Sequence, residues 1–127
     1  MHKRITFRNM DHVAAIENYA NDKLAKIEEF LTHEPTPIYI DLVLEPSKVH
    51  EHHRVELRIK SPHYDMISNY EGPEFYKVLD RVIDVMLEEL HREKRKQLDE
   101  RNHRIKVSKL REFQEKLPDE DDDDDEV

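Results

Sequence analysis

The apolar residues of this chain change their spacing three times along its length, and such a pattern can bury them only as strands and helices in a set order. Ile5 and Phe7 alternate with Arg4, Thr6 and Arg8, the period of a strand with one buried face. The interval then lengthens. Val13, Ile16, Ala20, Leu24, Ile27 and Leu31 recur every three or four residues, which predicts one apolar stripe on a helix over about residues 12–31, with Asp11 as its N-cap. Glu34-Pro35-Thr36-Pro37 ends that helix, because proline has no N–H to donate and restricts the residue before it. Period two returns with Ile38, Ile40, Leu42 and Leu44, and again with Val55, Leu57 and Ile59. Pro46-Ser47 breaks the run between them, so two strands joined by a hairpin are expected. Ser61-Pro62 turns the chain into a fourth, weaker strand from Tyr64 to Tyr70, with Met66 and Ser68 inward.

Gly72-Pro73-Glu74 is a helix start: glycine permits the turn, proline suits the first helical position, and an acid favours the positive helix end. Phe75, Leu79, Val82, Met86 and Leu90 form the second stripe, widened by Val78, Val85 and Leu87, and no breaker follows until Pro118. Past Leu90 the apolar positions thin to Leu98, Ile105, Val107, Leu110 and Phe113, as in a helix that projects or frays. The acidic run Asp119–Glu126 repels itself and is expected to be disordered. The predicted fold is α+β: a two-layer β-α-β-β-β-α domain, with two helices packed on one face of a four-stranded, mainly antiparallel sheet. At 127 residues the chain has room for one such core plus a tail.

Composition narrows the chemistry. A single glycine excludes a glycine-rich phosphate loop as well as collagen-like and flexible-linker classes, and the lack of cysteine excludes disulfide scaffolds, thiol nucleophiles and cysteine zinc sites. No apolar stretch approaches the roughly 20 residues needed to cross a bilayer, and the first residues contain no hydrophobic export segment, so a soluble, cytoplasmic protein is expected. His50 and His52 would share one face of an extended strand and could hold a divalent cation. Two exposed histidines without a third placed ligand make a weak site, and no metal or other cofactor is expected. Asp80 and Asp84 lie one helical turn apart, but a solvated or helix-flanking face accounts for them better than paired-carboxylate chemistry. No enzymatic activity is expected.

The net charge of −9 is divided unevenly. Residues 1–90 carry 11 Lys/Arg against 17 Asp/Glu, a local −6. Residues 91–117 carry 10 against 5, a local +5, and residues 118–127 carry 8 acids and no base, a local −8. A polyanion responds to the field within a screening length of about 8–10 Å, so the basic stretch is not cancelled by distant acids. Arg92, Lys94, Arg95 and Lys96 spread cation around a helix, and Arg101, Arg104, Lys106, Lys109 and Arg111 continue it. Lys23 and Lys26 lie on the first helix, and Arg4, Arg8, Arg54, Arg58 and Lys60 take the outward alternates of strands. Glu93, Asp99 and Glu100 interleave with the basic run, which on charge alone also fits a solvated face.

Three segments break that tie. Glu17-Asn18-Tyr19-Ala20-Asn21-Asp22-Lys23-Leu24-Ala25-Lys26-Ile27, His53-Arg54-Val55-Glu56-Leu57 and Phe75-Tyr76-Lys77-Val78-Leu79-Asp80, in that order and spacing, resemble the ribosome hibernation promoting factor family, also called the ribosome-associated inhibitor or sigma-54 modulation protein family. The resemblance covers about residues 3–98 and implies a non-enzymatic factor that binds the small ribosomal subunit near the decoding region and occludes messenger and transfer RNA. It implies rRNA-binding roles for Lys23, Lys26, Arg54, Arg92, Lys94, Arg95 and Lys96, with ribosomal proteins as further contacts and no membrane partner. It divides the chain into a ribosome-binding domain (1–98), a basic extension (99–117) and an acidic tail (118–127), without the C-terminal dimerisation domain of long-form members. The chain departs from the family pattern at Val85, Glu88 and Glu89, where basic residues or glutamine are common. A protein-binding adaptor that keeps the fold but has lost RNA binding is therefore the alternative. The tail could fold back on Arg92–Arg111 as a phosphate mimic, or simply solubilise the chain.

Overall fold

A computed structural model describes residues 1–48 and 51–116, with the order β1 (His2–Phe7), α1 (Ala14–Phe30), β2 (Tyr39–Pro46), β3 (His53–Lys60), β4 (Asp65–Gly72) and α2 (Phe75–Lys116). This is the expected α+β arrangement. The four strands form one sheet in the order β1-β2-β3-β4. β1 runs parallel to β2, with Ile5 opposite Leu42, and parallel neighbours need a crossover, which α1 supplies. β2, β3 and β4 follow as antiparallel neighbours, with Leu42 opposite Leu57 and Leu57 opposite Ser68.

One face of the sheet is buried and the other is open. Ile40, Leu42, Leu44, Val55, Leu57 and Ile59 are fully buried, whereas Tyr39, an outward alternate, remains 43% exposed. The buried alternates pack with Ile16, Ala20, Leu24 and Ile27 of α1 and with Val78, Leu79, Val82, Ile83, Met86 and Leu90 of α2 in a single core. Ile83 lies outside the predicted stripe. Its burial shows that α2 is covered over a wider arc than one stripe. The fold divides after Arg92 into two units, Met1–Arg92 and Glu93–Val127. Among the described residues from Glu93 onward no side chain is buried, and Leu98, Ile105, Val107, Leu110 and Phe113 are all exposed. No helix among the described residues is long and apolar enough to cross a membrane. The acidic run Asp119–Glu126, expected to be disordered, lies outside the described residues.

Three local expectations need correction. Asp11 does not cap α1: the N-cap is Val13, in an extended conformation, whose carbonyl accepts hydrogen bonds from the N–H groups of Ile16 and Glu17. His12 packs its ring edge-on against Phe7 and pairs with Glu17, which holds this segment upstream of the first turn and leaves Val13 exposed rather than in the apolar stripe. The fourth strand continues to Gly72, because β3 offers it partners as far as His53. Gly72 has no positive φ, so the turn does not require its conformational freedom. It is tight for another reason: a Cβ there would come within 3.1 Å of the Val78 side chain.

The turn after α1 is tied to the β3–β4 turn by one nearly buried carboxylate. Glu34 accepts hydrogen bonds from the Ser61 hydroxyl at 2.6 Å, the His63 backbone N–H at 2.8 Å and the His63 ring at 3.0 Å. Burial by itself would push its pKa up, but these donors outweigh burial and hold the carboxyl below the usual carboxylate range. A carboxylate whose pKa is depressed on folding stabilises the fold above its unfolded pKa of about 4.3 and loses that contribution as pH falls through the lower folded value. Thermal unfolding measured from neutral pH down through that range should therefore show a steeper acid-side loss in the wild type than in Glu34→Gln. Parallel curves would show that Glu34 does not couple protons to folding.

Candidate nucleic-acid interface

The helix layer carries a polar seam between α1 and α2. Tyr19 and Tyr76 meet edge to face at 4.8 Å, the Tyr19 hydroxyl donates to Asp80 at 2.7 Å, and the Lys23 ammonium lies 3.4 Å from the same carboxylate and 5.6 Å from the Tyr19 ring. The spacing that builds this is one helical turn on each helix, Tyr19 to Lys23 and Tyr76 to Asp80. The Asp80 charge raises the Lys23 pKa, with help from their hydrogen bond, and Asp84 adds a smaller pull in the same direction. The hydrogen bond to Asp80 is also the main cause of the raised Tyr19 pKa. Lys23 is thus held cationic but already has a counter-ion. Asp80 ties the two helices together, and Asp84 lies exposed beside it.

The other predicted contacts fall in different places. Lys26 is exposed on α1 and makes no ion pair with a described residue. Arg54 lies on the open face of the sheet, the face away from both helices, pinned by Glu45 at 3.1 Å and Glu56 at 3.3 Å. The structure does not bring it together with the helix-layer cations. Arg92 bonds Glu89 at 2.8 Å and approaches Glu88 at 3.6 Å, so the acids that depart from the family pattern act as its partners. Lys94, Arg95 and Lys96 are exposed on the stretch of α2 after Arg92.

The open face of the sheet alternates in charge. Arg4 faces Asp41 at 3.9 Å, Arg8 faces Glu45 at 3.6 Å, and Arg58 faces Asp65 at 3.4 Å. Cations do occupy the outward alternates, as the sequence predicts, but each of these arginines has an acid beside it. That face is close to electrically balanced and is not a positive patch. Among the described residues no group of three His, Asp or Glu side chains could hold a metal ion, and His50, half of the histidine pair noted in the sequence, lies outside them.

The model of the family described as sigma 54 modulation protein / S30EA ribosomal protein matches residues 4–98. The chain belongs to this family. Its fold is similar to the N-terminal domain of Thermus thermophilus Protein Y (22% identity, TM-score 0.60, covering 72% of this chain and 98% of that one). It is also similar to a ribosomal subunit interface protein from Coxiella burnetii (20% identity, TM-score 0.59, covering 74% and 98%). No curated protein sequence matches the chain.

Sequence reasoning missed the seam of Tyr19, Tyr76 and Asp80, and the four-residue spacing of a tyrosine before a charged residue on both helices was the available signal. A bond from a hydroxyl to a partly buried carboxylate contributes on the order of 1 kcal/mol. Tyr19→Phe should lower the urea unfolding free energy by about that amount, with a smaller effect in an Asp80→Asn background. Equal losses in both backgrounds would rule out coupling through this bond.

Proposed function

We propose that this protein is a ribosome-associated translation inhibitor of the hibernation class. On this reading it acts in the cytoplasm without catalysis, binding small-subunit rRNA near the decoding region and occluding messenger and transfer RNA. The observation that carries the reading is membership of the S30EA family across residues 4–98, a span that takes in most of β1, all of α1, β2, β3 and β4, and the first half of α2. We assign Lys23, Lys26, Arg54, Arg92, Lys94, Arg95 and Lys96 to RNA contact. Lys26, Arg95 and Lys96 are exposed without an ion-pair partner among the described residues, so they can replace counter-ions on phosphate without first breaking a bond. Lys23, Arg54 and Arg92 would have to exchange a carboxylate for a phosphate and should add less affinity.

A second reading keeps the fold and replaces RNA with a protein partner. The observation in its favour is the neutralisation of the folded unit, where Arg4, Arg8, Lys23, Arg54, Arg58 and Arg92 all pair with acids. Salt separates the two, because displacement of phosphate counter-ions makes affinity fall linearly on a log–log plot, whereas an apolar protein interface responds weakly. Cosedimentation with vacant small subunits should weaken steeply as salt rises. Charge reversal at Arg92, Lys94, Arg95 and Lys96 together should abolish pelleting without unfolding the domain. Pelleting that ignores both salt and these reversals would favour the protein partner.

A further inference from the structure

Beyond Arg92 the electrostatic character of the molecule changes. In the folded unit most arginines sit against a carboxylate, but Arg101, Arg104 and Arg111 are exposed on α2 and make no ion pair with any described residue. They also share a face. Lys94, Gln97, Arg101, Arg104, Ser108 and Arg111 follow one another at steps of three and four residues, the spacing that keeps side chains along one side of a helix. In a coiled coil that spacing would be filled by apolar residues. Here every position holds a cation, an amide or a hydroxyl, so this stripe cannot be a seam for a second helix. At about 1.5 Å rise per residue, the line from Lys94 to Arg111 extends about 25 Å, long enough to meet several successive phosphates.

From this geometry we infer that the Lys94–Arg111 stripe of α2 is an RNA-backbone-binding arm, most of it beyond the family-matched residues 4–98. The inference rests on the reading of the protein as an rRNA binder and locates a distinct part of that contact. Guanidinium groups suit the task because each can hold two phosphate oxygens at once and stays charged at any physiological pH. The major groove of A-form RNA is too deep and narrow for side chains to read base edges, so such a stripe would follow the backbone and recognise duplex shape rather than sequence.

The test uses the full chain, its Arg101→Gln/Arg104→Gln/Arg111→Gln variant and the matching triple lysine variant, each titrated with a short synthetic RNA duplex over a potassium chloride series. In the glutamine variant the slope of log affinity against log salt should lose about one unit per arginine, roughly three in all. The lysine variant should keep most of the wild-type slope, and all three proteins should show equal helicity by circular dichroism. A glutamine variant that matches wild type overturns the inference, as does a lysine variant as impaired as the glutamine one. The reading of the domain itself fails separately, if wild-type protein binds the duplex but does not pellet with small subunits.

Discussion

The interaction on which the rest depends is the burial of one face of a four-stranded sheet under two helices. Ile40, Leu42, Leu44, Val55, Leu57 and Ile59 reach zero exposure only because α1 and α2 lie over them, and burial of apolar surface is the dominant favourable term in folding. Since side chains alternate across a strand, covering one face assigns every other residue to the opposite side. Arg4, Arg8, Arg54 and Arg58 are on the open face for that reason, with Asp41, Glu45 and Asp65 as neighbours set by the strand register. The same packing brings Asp80 of α2 to Tyr19 and Lys23 of α1.

Charge follows from that placement. A net −9 describes no particular surface of this molecule, because the folded unit pairs many of its cations internally while the described part of α2 after Arg92 leaves its arginines exposed. Ion pairs at a surface are worth little as stability, usually about 0–1 kcal/mol, but they matter for recognition, since a polyanion must compete with a carboxylate already in place. The cations best prepared to meet phosphate are therefore those without carboxylates in reach. In the family-matched region these include Lys26, Arg95 and Lys96, and beyond it Arg101, Arg104 and Arg111.

Much of the fold was legible because the apolar spacing follows the two periods of regular structure. The strands, both helices, the inward place of Ser68 and the start of α2 follow from that pattern. The α1 cap was not legible, since Asp11 is a good capping residue by type, yet the helix starts after Val13, with His12 against Phe7 and Glu17. Gly72 likewise suggested a turn, whereas the space it leaves is for Val78. Of the predicted contact residues, exposure and the local pairing of Arg92 with Glu88 and Glu89 could be read from the pattern, but the partner of Lys23 on the other helix and the nearer partner of Arg54, Glu45 on a neighbouring strand, could not.

The sequence by itself determined the order of elements, the faces they bury and the separation of charge into blocks, because periodicity and charge are local properties of the chain. Only the tertiary structure decided which cations remain open to a partner. Outside local pairs such as Arg92 with Glu89, neutralisation is a matter of a few ångströms between residues distant in sequence, as with the 3.4 Å between Lys23 and Asp80, and such distances exist only once the helices have packed on the sheet.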